Sequence, residues 1–234
     1  MPFQTIAPPV ITTLLYFIIF GVSIGPRIGQ IQGVNYLEFI MPGLIMMNTL
    51  IYTYSNVAYS LQITKISRSM SDVLATPLSY TDIILGYVLA SVIRGIITGL
   101  LIFLTAMLFI PISVLHPMYL ISFFVVVTFL FSLLGLIIGL WAESFEQVSL
   151  FPTFFLTPLS FLGGIFYSID MLPAGWQAIS RFNPILYIIN GLRYGFYGIS
   201  DVNATTSYFF LVFVTVLLYI ACYVILKSGY RIRS

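Results

Sequence analysis

Charged residues are rare along this chain and separate long apolar stretches. A helix that crosses a bilayer needs about 20 apolar residues, because a charge at the bilayer centre is costly. The uncharged stretches therefore mark where helices can cross. Five long stretches carry no charged side chain, namely residues 1–26, 39–64, 95–142, 147–169 and 202–226.

The longest stretch exceeds one crossing. As a helix, residues 95–142 would extend about 70 Å, roughly twice the hydrocarbon thickness. Pro111 and Pro117, with His116 beside the second proline, predict a turn there. The pattern thus predicts six spans, at about residues 7–24, 39–62, 83–110, 118–141, 149–167 and 207–226.

Composition agrees with a membrane protein. Of the 234 residues, 60% are hydrophobic and 7% are charged, and the mean hydropathy is +1.07. Soluble domains carry about 25% charged residues. Residues 123–141 are apolar on every face, which favours helices over the alternating strands of an outer-membrane barrel. We therefore expect an all-α integral membrane protein.

The Lys and Arg residues predict an orientation. Six spans place both termini on one side of the membrane. That side would hold Lys65, Arg68, Lys227, Arg231 and Arg233, and the other side Arg27, Arg181 and Arg193. Because cytoplasmic loops are enriched in Lys and Arg, we expect both termini to be cytoplasmic.

Residues 64–82 form a polar segment between the second and third spans. Serine and aspartate provide helix caps, and Met70, Val73 and Leu74 recur at helical spacing. The segment predicts a short helix at the cytoplasmic surface, with an ordinary loop as the alternative.

Residues 170–201 are too apolar for a solvated loop and too rich in glycine and proline for a continuous span. Their aromatic side chains suit the headgroup level of a membrane. We expect short re-entrant or interfacial helices on the outer side, with the guanidinium groups of Arg181 and Arg193 reaching water or phosphate. An interfacial anchor without contact to cargo is the alternative.

Arg94 lies inside the third predicted span. An ionisable residue in a span is a functional-site hypothesis by default. Two interpretations are open. Arg94 anchors the helix by reaching the cytoplasmic headgroups, or it acts in coupling or in the translocation path.

Most chemistry is excluded by what the sequence lacks. No G-x-x-x-x-G-K-[ST] motif occurs, so the chain cannot be its own ATPase. One histidine and one cysteine exclude H-E-x-x-H zinc sites and cysteine clusters. A net charge of +2 is too weak for a nucleic-acid surface. We expect no catalytic residue, metal site or cofactor in this chain.

Several motifs together resemble one family. Residues 156–167, followed by Leu172-Pro173 and by residues 181–187 and 191–195, resemble the signature of the ABC-2 type transporter permeases. Residues 38–47 look like the second span of that family, and residues 72–78 look like its coupling segment. Within the family the chain is most similar to bacterial inner-membrane permeases.

The resemblance implies a multi-pass protein of the bacterial inner membrane with six helices per subunit. It also implies a homodimer and a separate ATP-binding cassette subunit, which binds ATP and Mg at the cytoplasmic face. Such permeases usually carry an amphipathic helix before the first span, whereas here that span begins almost at residue 1. We expect contacts with membrane lipids and none with nucleic acid.

The resemblance also assigns roles to residues. Contact with the ATPase subunit is expected at Ser69, Asp72, Val73, Leu74, Thr76 and Pro77. The outer re-entrant segment is expected to include Asn183, Pro184, Tyr187 and Arg193.

The leading hypothesis for function is the permease half of an ABC exporter. One alternative is a lipid or glycan flippase of the same fold. Another is a membrane scaffold or assembly factor, which would have no ATPase partner.

Overall fold

The computed structural model describes residues 2–67 and 76–229, and these residues are mostly helical. The α-helices are α1 Pro2–Tyr16, α2 Gly25–Ile28, α3 Tyr36–Ile66, α4 Tyr80–Ala106, α5 Pro117–Trp141, α6 Phe145–Phe151, α7 Thr157–Leu162, α8 Ala174–Arg181, α9 Pro184–Tyr197 and α10 Ala204–Ser228. The π-helical segments Phe17–Ile24 and Pro152–Leu156 join α1 to α2 and α6 to α7. A 3₁₀ turn covers Ile169–Met171.

Within the described ranges, three helices are long and apolar enough to cross a membrane: α4, α5 and α10. Helix α3 is longer, at 31 residues, but less apolar. It packs against α4 and α5 in the middle of the fold. Two glycines of α5 allow this close approach. A Cβ at Gly135 would collide with the carbonyl oxygen of Tyr54, and one at Gly139 would lie 3.0 Å from the Cα of Ala58.

Polar caps fix where several helices begin. The Ser79 hydroxyl accepts a hydrogen bond from the Asp82 amide at the start of α4, and the Asp82 carboxylate accepts one from the Ser79 amide. At the start of α10, the Asn203 side chain accepts from the Thr206 amide. Between α4 and α5 the chain is not helical at residues 111–116, where the two prolines predicted a turn.

Some helix ends differ from the predicted spans. Helix α4 ends at Ala106 and α7 at Leu162, whereas the spans were predicted to reach residues 110 and 167. Gly164 has a φ of +80°, which an α-helix cannot accommodate, and the residues after both helices are apolar. Composition therefore could not locate these ends. Of the predicted coupling segment, residues 64–66 belong to α3 and residues 80–82 to α4.

A small β-hairpin was not predicted from the sequence. Strands β1 Gln30–Ile31 and β2 Val34–Asn35 pair antiparallel. Gln32 and Gly33 form the two-residue turn, with φ angles of +52° and +82°, as the twist of a tight hairpin requires. The hairpin is a short addition to a fold that is otherwise mostly helical in the described residues, as predicted.

The loops gather at two ends of the bundle. The hairpin end contains β1, β2, residues 163–173 and residues 198–203, joined by a hydrogen bond of 2.6 Å from Gln32 to Asp201. The Lys65 end contains the last turn of α3 and the residues after α5. There the Lys65 ammonium donates to the Ala142 carbonyl at 2.9 Å. The first turn of α4 is joined to α10 by Thr81 and Tyr219.

Candidate functional site

Helix α3 carries a polar face that is only half-buried. Its residues are spaced three and four apart, so they share one side of the helix. This polar face of α3 consists of Asn48, Tyr52, Ser55, Asn56, Tyr59 and Ser60. The other side of α3 is packed into the core, where Leu50 and Ala58 are buried.

The polar face of α3 forms one wall of a cavity of about 580 Å³. Pro8, Pro9 and Thr12 of α1 line the opposite wall, and Arg94 of α4 lies at its side. A neighbouring cavity of about 370 Å³ lies between α3 and α4 and is also lined by Asn56, Ser60 and Arg94. We call the two cavities together the groove.

Hydrogen bonds hold the three helices around the groove. The Asn48 amide donates to the Thr13 hydroxyl at 2.9 Å, which joins α3 to α1. The Ser91 hydroxyl donates to the Thr53 carbonyl at 2.8 Å, which joins α4 to α3. These bonds fix the position of the polar face relative to Arg94.

Arg94 is exposed at the middle of α4. It lies about 21 Å along the axis from Tyr80 and about 18 Å from Ala106, at 1.5 Å per residue. Its guanidinium donates one hydrogen bond, at 3.0 Å, to the Asn56 side chain. This position is far from both helix ends. Both interpretations of Arg94, anchoring at the headgroups and a role in coupling or in the path, stay predictions.

Residues of the predicted outer segment start and stabilise α9. The Asn183 side chain accepts a hydrogen bond from the Ile185 amide and donates one to the Leu159 carbonyl at 2.6 Å. Pro184 occupies the first position of the helix, where its missing N–H costs nothing. The Tyr187 hydroxyl donates to the Arg181 carbonyl at 2.8 Å. These bonds connect α9 to α7 and α8.

Arg193 of α9 is completely buried. Its guanidinium donates to the carbonyls of Gly164 at 2.8 Å and Phe39 at 3.3 Å, and to the Asn190 side chain at 3.3 Å. It also lies 3.6 Å above the Phe39 ring and 3.7 Å from the Asp201 carboxylate. The expectation that this guanidinium reaches water or phosphate is wrong, although Arg181 is exposed.

Asp201 connects Arg193 to the hairpin end. Its carboxylate accepts hydrogen bonds from Gln32 and Ser168, and its backbone amide donates to Asn190 at 2.8 Å. Burial lowers the pKa of Arg193 to about 10, and the Asp201 carboxylate opposes that shift. Arg193 therefore remains charged near neutral pH. We call Gln32, Ser168, Asn190, Arg193 and Asp201 the arginine cluster.

Only part of the predicted coupling segment can be located. Ser69, Asp72, Val73 and Leu74 lie outside the described residues. Thr76 and Pro77 are exposed and not helical. Immediately before this segment, Gln62 donates to the carbonyls of Gly139 and Ala142, which end α5. Gln62 and Lys65 thus donate hydrogen bonds to carbonyls at the end of α5, which a helix terminus leaves without partners inside the helix.

Sequence reasoning missed both the polar face of α3 and the role of Gln62. It searched the spans for charged residues, and the polar face carries none. The helical spacing of Asn48, Tyr52, Ser55 and Asn56 was a signal that could have found it. Nothing comparable in the sequence connects Arg193 to Asp201 or Gln62 to the end of α5.

Comparison with known proteins agrees with the helical membrane architecture. Residues 1–197 match the family described as ABC-2 type transporter. The chain belongs to the ABC-2 type transporter family. It is 45% identical to the inner membrane transport permease YadH of Escherichia coli K12, over 99% of this chain and 90% of that protein. It is 24% identical to nodulation protein J of Rhizobium leguminosarum bv. viciae, over 77% of this chain and 70% of that protein.

Membership of the ABC-2 family defines the class of function. The chain is a permease subunit of an ABC-2 type transporter, and the ATPase of such a transporter is a different subunit. Permeases of this family normally work with an ATP-binding subunit. The apolar helices and the similarity to an inner-membrane permease indicate a multi-pass inner-membrane protein.

Proposed function

We propose that this chain is the membrane half of an ABC exporter and that the groove forms part of its translocation path. The observation that carries the proposal is the polar face of α3, which lines a cavity between membrane helices with Arg94 beside it. Polar and ionisable residues within membrane helices face the bundle interior or water, because exposing them to lipid is costly. A partly hydrated groove satisfies this requirement.

Six spans fit the helices of this fold. Besides α4, α5 and α10, the continuous helix of residues 2–28, helix α3 and the continuous helix of residues 145–162 would each cross. The last of these is the shortest, at about 27 Å of helix, close to the hydrocarbon thickness. Its π-helical segment begins at Pro152, whose missing N–H breaks the regular pattern of hydrogen bonds.

Helices α8 and α9 would remain on the outer side without crossing. They have 8 and 14 residues, both fewer than a crossing needs, and Phe182 and Asn183 separate them. Phe182 and Trp176 are exposed, as expected of aromatic side chains at the membrane interface. The hairpin end would then be outside and the Lys65 end cytoplasmic, with both termini.

Cysteine labelling tests this topology. In a Cys222→Ala background, single cysteines replacing Ile179, which is 55% exposed, and Ser200 should both react with an impermeant thiol reagent applied to intact cells. Labelling of one from outside and of the other only after lysis would mean that the chain crosses between them. The six-span proposal would then be wrong.

The energy for export would come from an ATP-binding cassette subunit that binds ATP and Mg and docks at the Lys65 end. The contact would include Ser69, Asp72, Val73, Leu74, Thr76 and Pro77. Gln62 and Lys65 tie the end of α3 to the end of α5, so a displacement of the docked segment would move both helices. A homodimer would complete the path, with each copy contributing one groove.

The proposal is tested by purifying the chain from its native membranes and assaying ATP hydrolysis. We expect a separate nucleotide-binding protein to co-purify and the complex, but not the chain alone, to hydrolyse ATP. Val73→Pro should abolish co-purification, because proline removes a backbone hydrogen bond and costs a helix about 3 kcal/mol. Val73→Ala is the matched control and should bind normally. ATP hydrolysis by the chain alone, or full coupling of Val73→Pro, would contradict the assignment.

A further inference from the structure

The positive charge of Arg94 has no negative partner in the groove. The guanidinium has five N–H donors, and its one hydrogen bond goes to the neutral Asn56 side chain. Within residues 2–67 and 76–229, no carboxylate lies within ion-pairing distance of Arg94. A charge placed near the bilayer centre costs about 3 kcal/mol on insertion scales. Pairing with a mobile anion would offset part of this cost.

The groove has walls of two chemical kinds. The polar face of α3 provides hydroxyl and amide groups, whereas the rest of the lining includes Pro8, Pro9, the partly buried Ile51 and the exposed Ile63. On the outer surface of α4, Ile93 and Ile97 flank Arg94 and are exposed. A ligand with a charged head and an apolar chain can satisfy both kinds of wall.

We propose that the groove binds an anionic amphiphile that enters from the cytoplasmic leaflet of the membrane. Its phosphate or carboxylate head pairs with Arg94 and Asn56, while its apolar chain lies along α1 and the surface of α4. A guanidinium binds such heads through two parallel hydrogen bonds. This inference rests on the proposed function, since it names the cargo class of that path.

Charge also indicates how such a ligand enters. Asp82 lines the groove at its Lys65 end, about 18 Å along α4 from Arg94. The Asp82 carboxylate in its lining disfavours an anion inside the cavity between α3 and α4. The cavity beside α1 is lined by no acidic residue within the described parts of the chain. An amphiphile that diffuses laterally in the bilayer therefore reaches Arg94 through the cavity beside α1.

Closing the groove directly against the groove of a second copy is less favourable than closing it with an anion between the two copies. Two grooves that face each other would bring two Arg94 charges into the same space, where they repel each other. An anion between the two guanidinium groups removes that repulsion. A dimer therefore strengthens the preference of the path for anionic cargo.

The test is a binding measurement with the full-length chain purified in a neutral detergent. The probes are phosphatidylglycerol and diacylglycerol that carry the same fluorescent acyl chain, so they differ only in the presence of the anionic phosphate head group. The wild-type chain should bind phosphatidylglycerol at least about tenfold more tightly, as expected of a hydrogen bond to a charged group. Arg94→Gln should lose this preference, and Arg94→Lys should keep part of it. Arg181→Gln is the matched control, because it removes an exposed arginine outside the groove, and it should bind like the wild type.

Equal affinity of the wild-type chain for both lipids would overturn the inference, as would an unchanged preference in Arg94→Gln. If neither lipid binds and Arg94→Gln changes the mass of the oligomer, the groove is an interface between copies and the inference is wrong. ATP hydrolysis by the complex, measured on the same preparations, separates the two proposals. An active complex without lipid preference rejects only the ligand, whereas lipid preference in a chain that recruits no ATPase supports the site and rejects the exporter.

Discussion

Arg94 and Arg193 are two arginines with opposite environments in one membrane protein. Arg193 is completely buried, donates to three oxygen acceptors, lies on the Phe39 ring and pairs with Asp201. Arg94 is exposed, and within the described parts of the chain its guanidinium donates one hydrogen bond, to Asn56. A buried charge with this many partners fixes the positions of the segments that surround it. An exposed charge with one partner remains available to a ligand.

The difference separates a structural role from a functional one. The arginine cluster joins the β-hairpin, the residues after α7, helix α9 and the residues before α10 at one end of the bundle. Removing either member of a buried pair leaves the other charge without compensation. When an exposed charge is removed, every buried group keeps its partner. A mutation of Arg193 should therefore mainly lower the stability of the fold, whereas a mutation of Arg94 should mainly reduce transport.

The largest loss of stability is expected for Arg193→Gln. It leaves the buried Asp201 carboxylate and two carbonyl oxygens without a charged donor, and breaking a buried pair costs about 3–5 kcal/mol. Thermal unfolding in detergent should shift strongly to lower temperature, and the yield of folded protein should fall. Arg181→Gln removes an exposed arginine and should unfold like the wild type. Equal unfolding temperatures of the two variants would contradict a structural role for Arg193.

A smaller loss is expected for Asp201→Asn. The amide retains an acceptor oxygen for Gln32 and Ser168 but no longer compensates the charge of Arg193, which we expect to cost about 1–3 kcal/mol. The same unfolding measurement places this variant between the wild type and Arg193→Gln. Asp170→Asn, at an exposed acid of the same end, provides the control. If Asp201→Asn is as stable as Asp170→Asn, the charge of Asp201 adds no stability beyond that of its hydrogen bonds.

Arg94→Gln should lower stability least, by no more than about 0.5 kcal/mol, because the side chain is exposed and its removal leaves no buried group without a partner. Its effect should instead appear in transport. In the complex with its ATPase subunit, reconstituted into vesicles, cargo-stimulated ATP hydrolysis should fall although the variant folds and assembles normally. A variant that is destabilised as much as Arg193→Gln would place Arg94 in the structural class and remove the basis for the groove as a path.

The sequence predicted the apolar, mostly helical architecture because charges and prolines mark where apolar helices stop. Helix α5 begins at Pro117 and ends at Trp141, within one residue of its predicted span. Contacts between residues that are far apart in the sequence could not be predicted from it. The Arg193 guanidinium is buried because Gly164, Phe39 and Asp201 converge on it, and no local pattern encodes that convergence. The polar face of α3 was readable from its spacing, but a search for formal charges overlooked it.

The accessibility of α3 to water shows directly whether its polar face lines the translocation path. Single cysteines replace Asn56, Ser60, the buried Leu50 or the exposed apolar Ile97 of α4, each in a Cys222→Ala background. A charged, water-soluble thiol reagent reacts with thiolates, which form only where water is present. If the polar face of α3 lines the path, Asn56→Cys and Ser60→Cys should be modified rapidly in the assembled complex, whereas Leu50→Cys and Ile97→Cys should be nearly unreactive. Modification of Asn56→Cys and Ser60→Cys no faster than that of Ile97→Cys would mean that the groove faces lipid or protein, and the path would have to lie elsewhere.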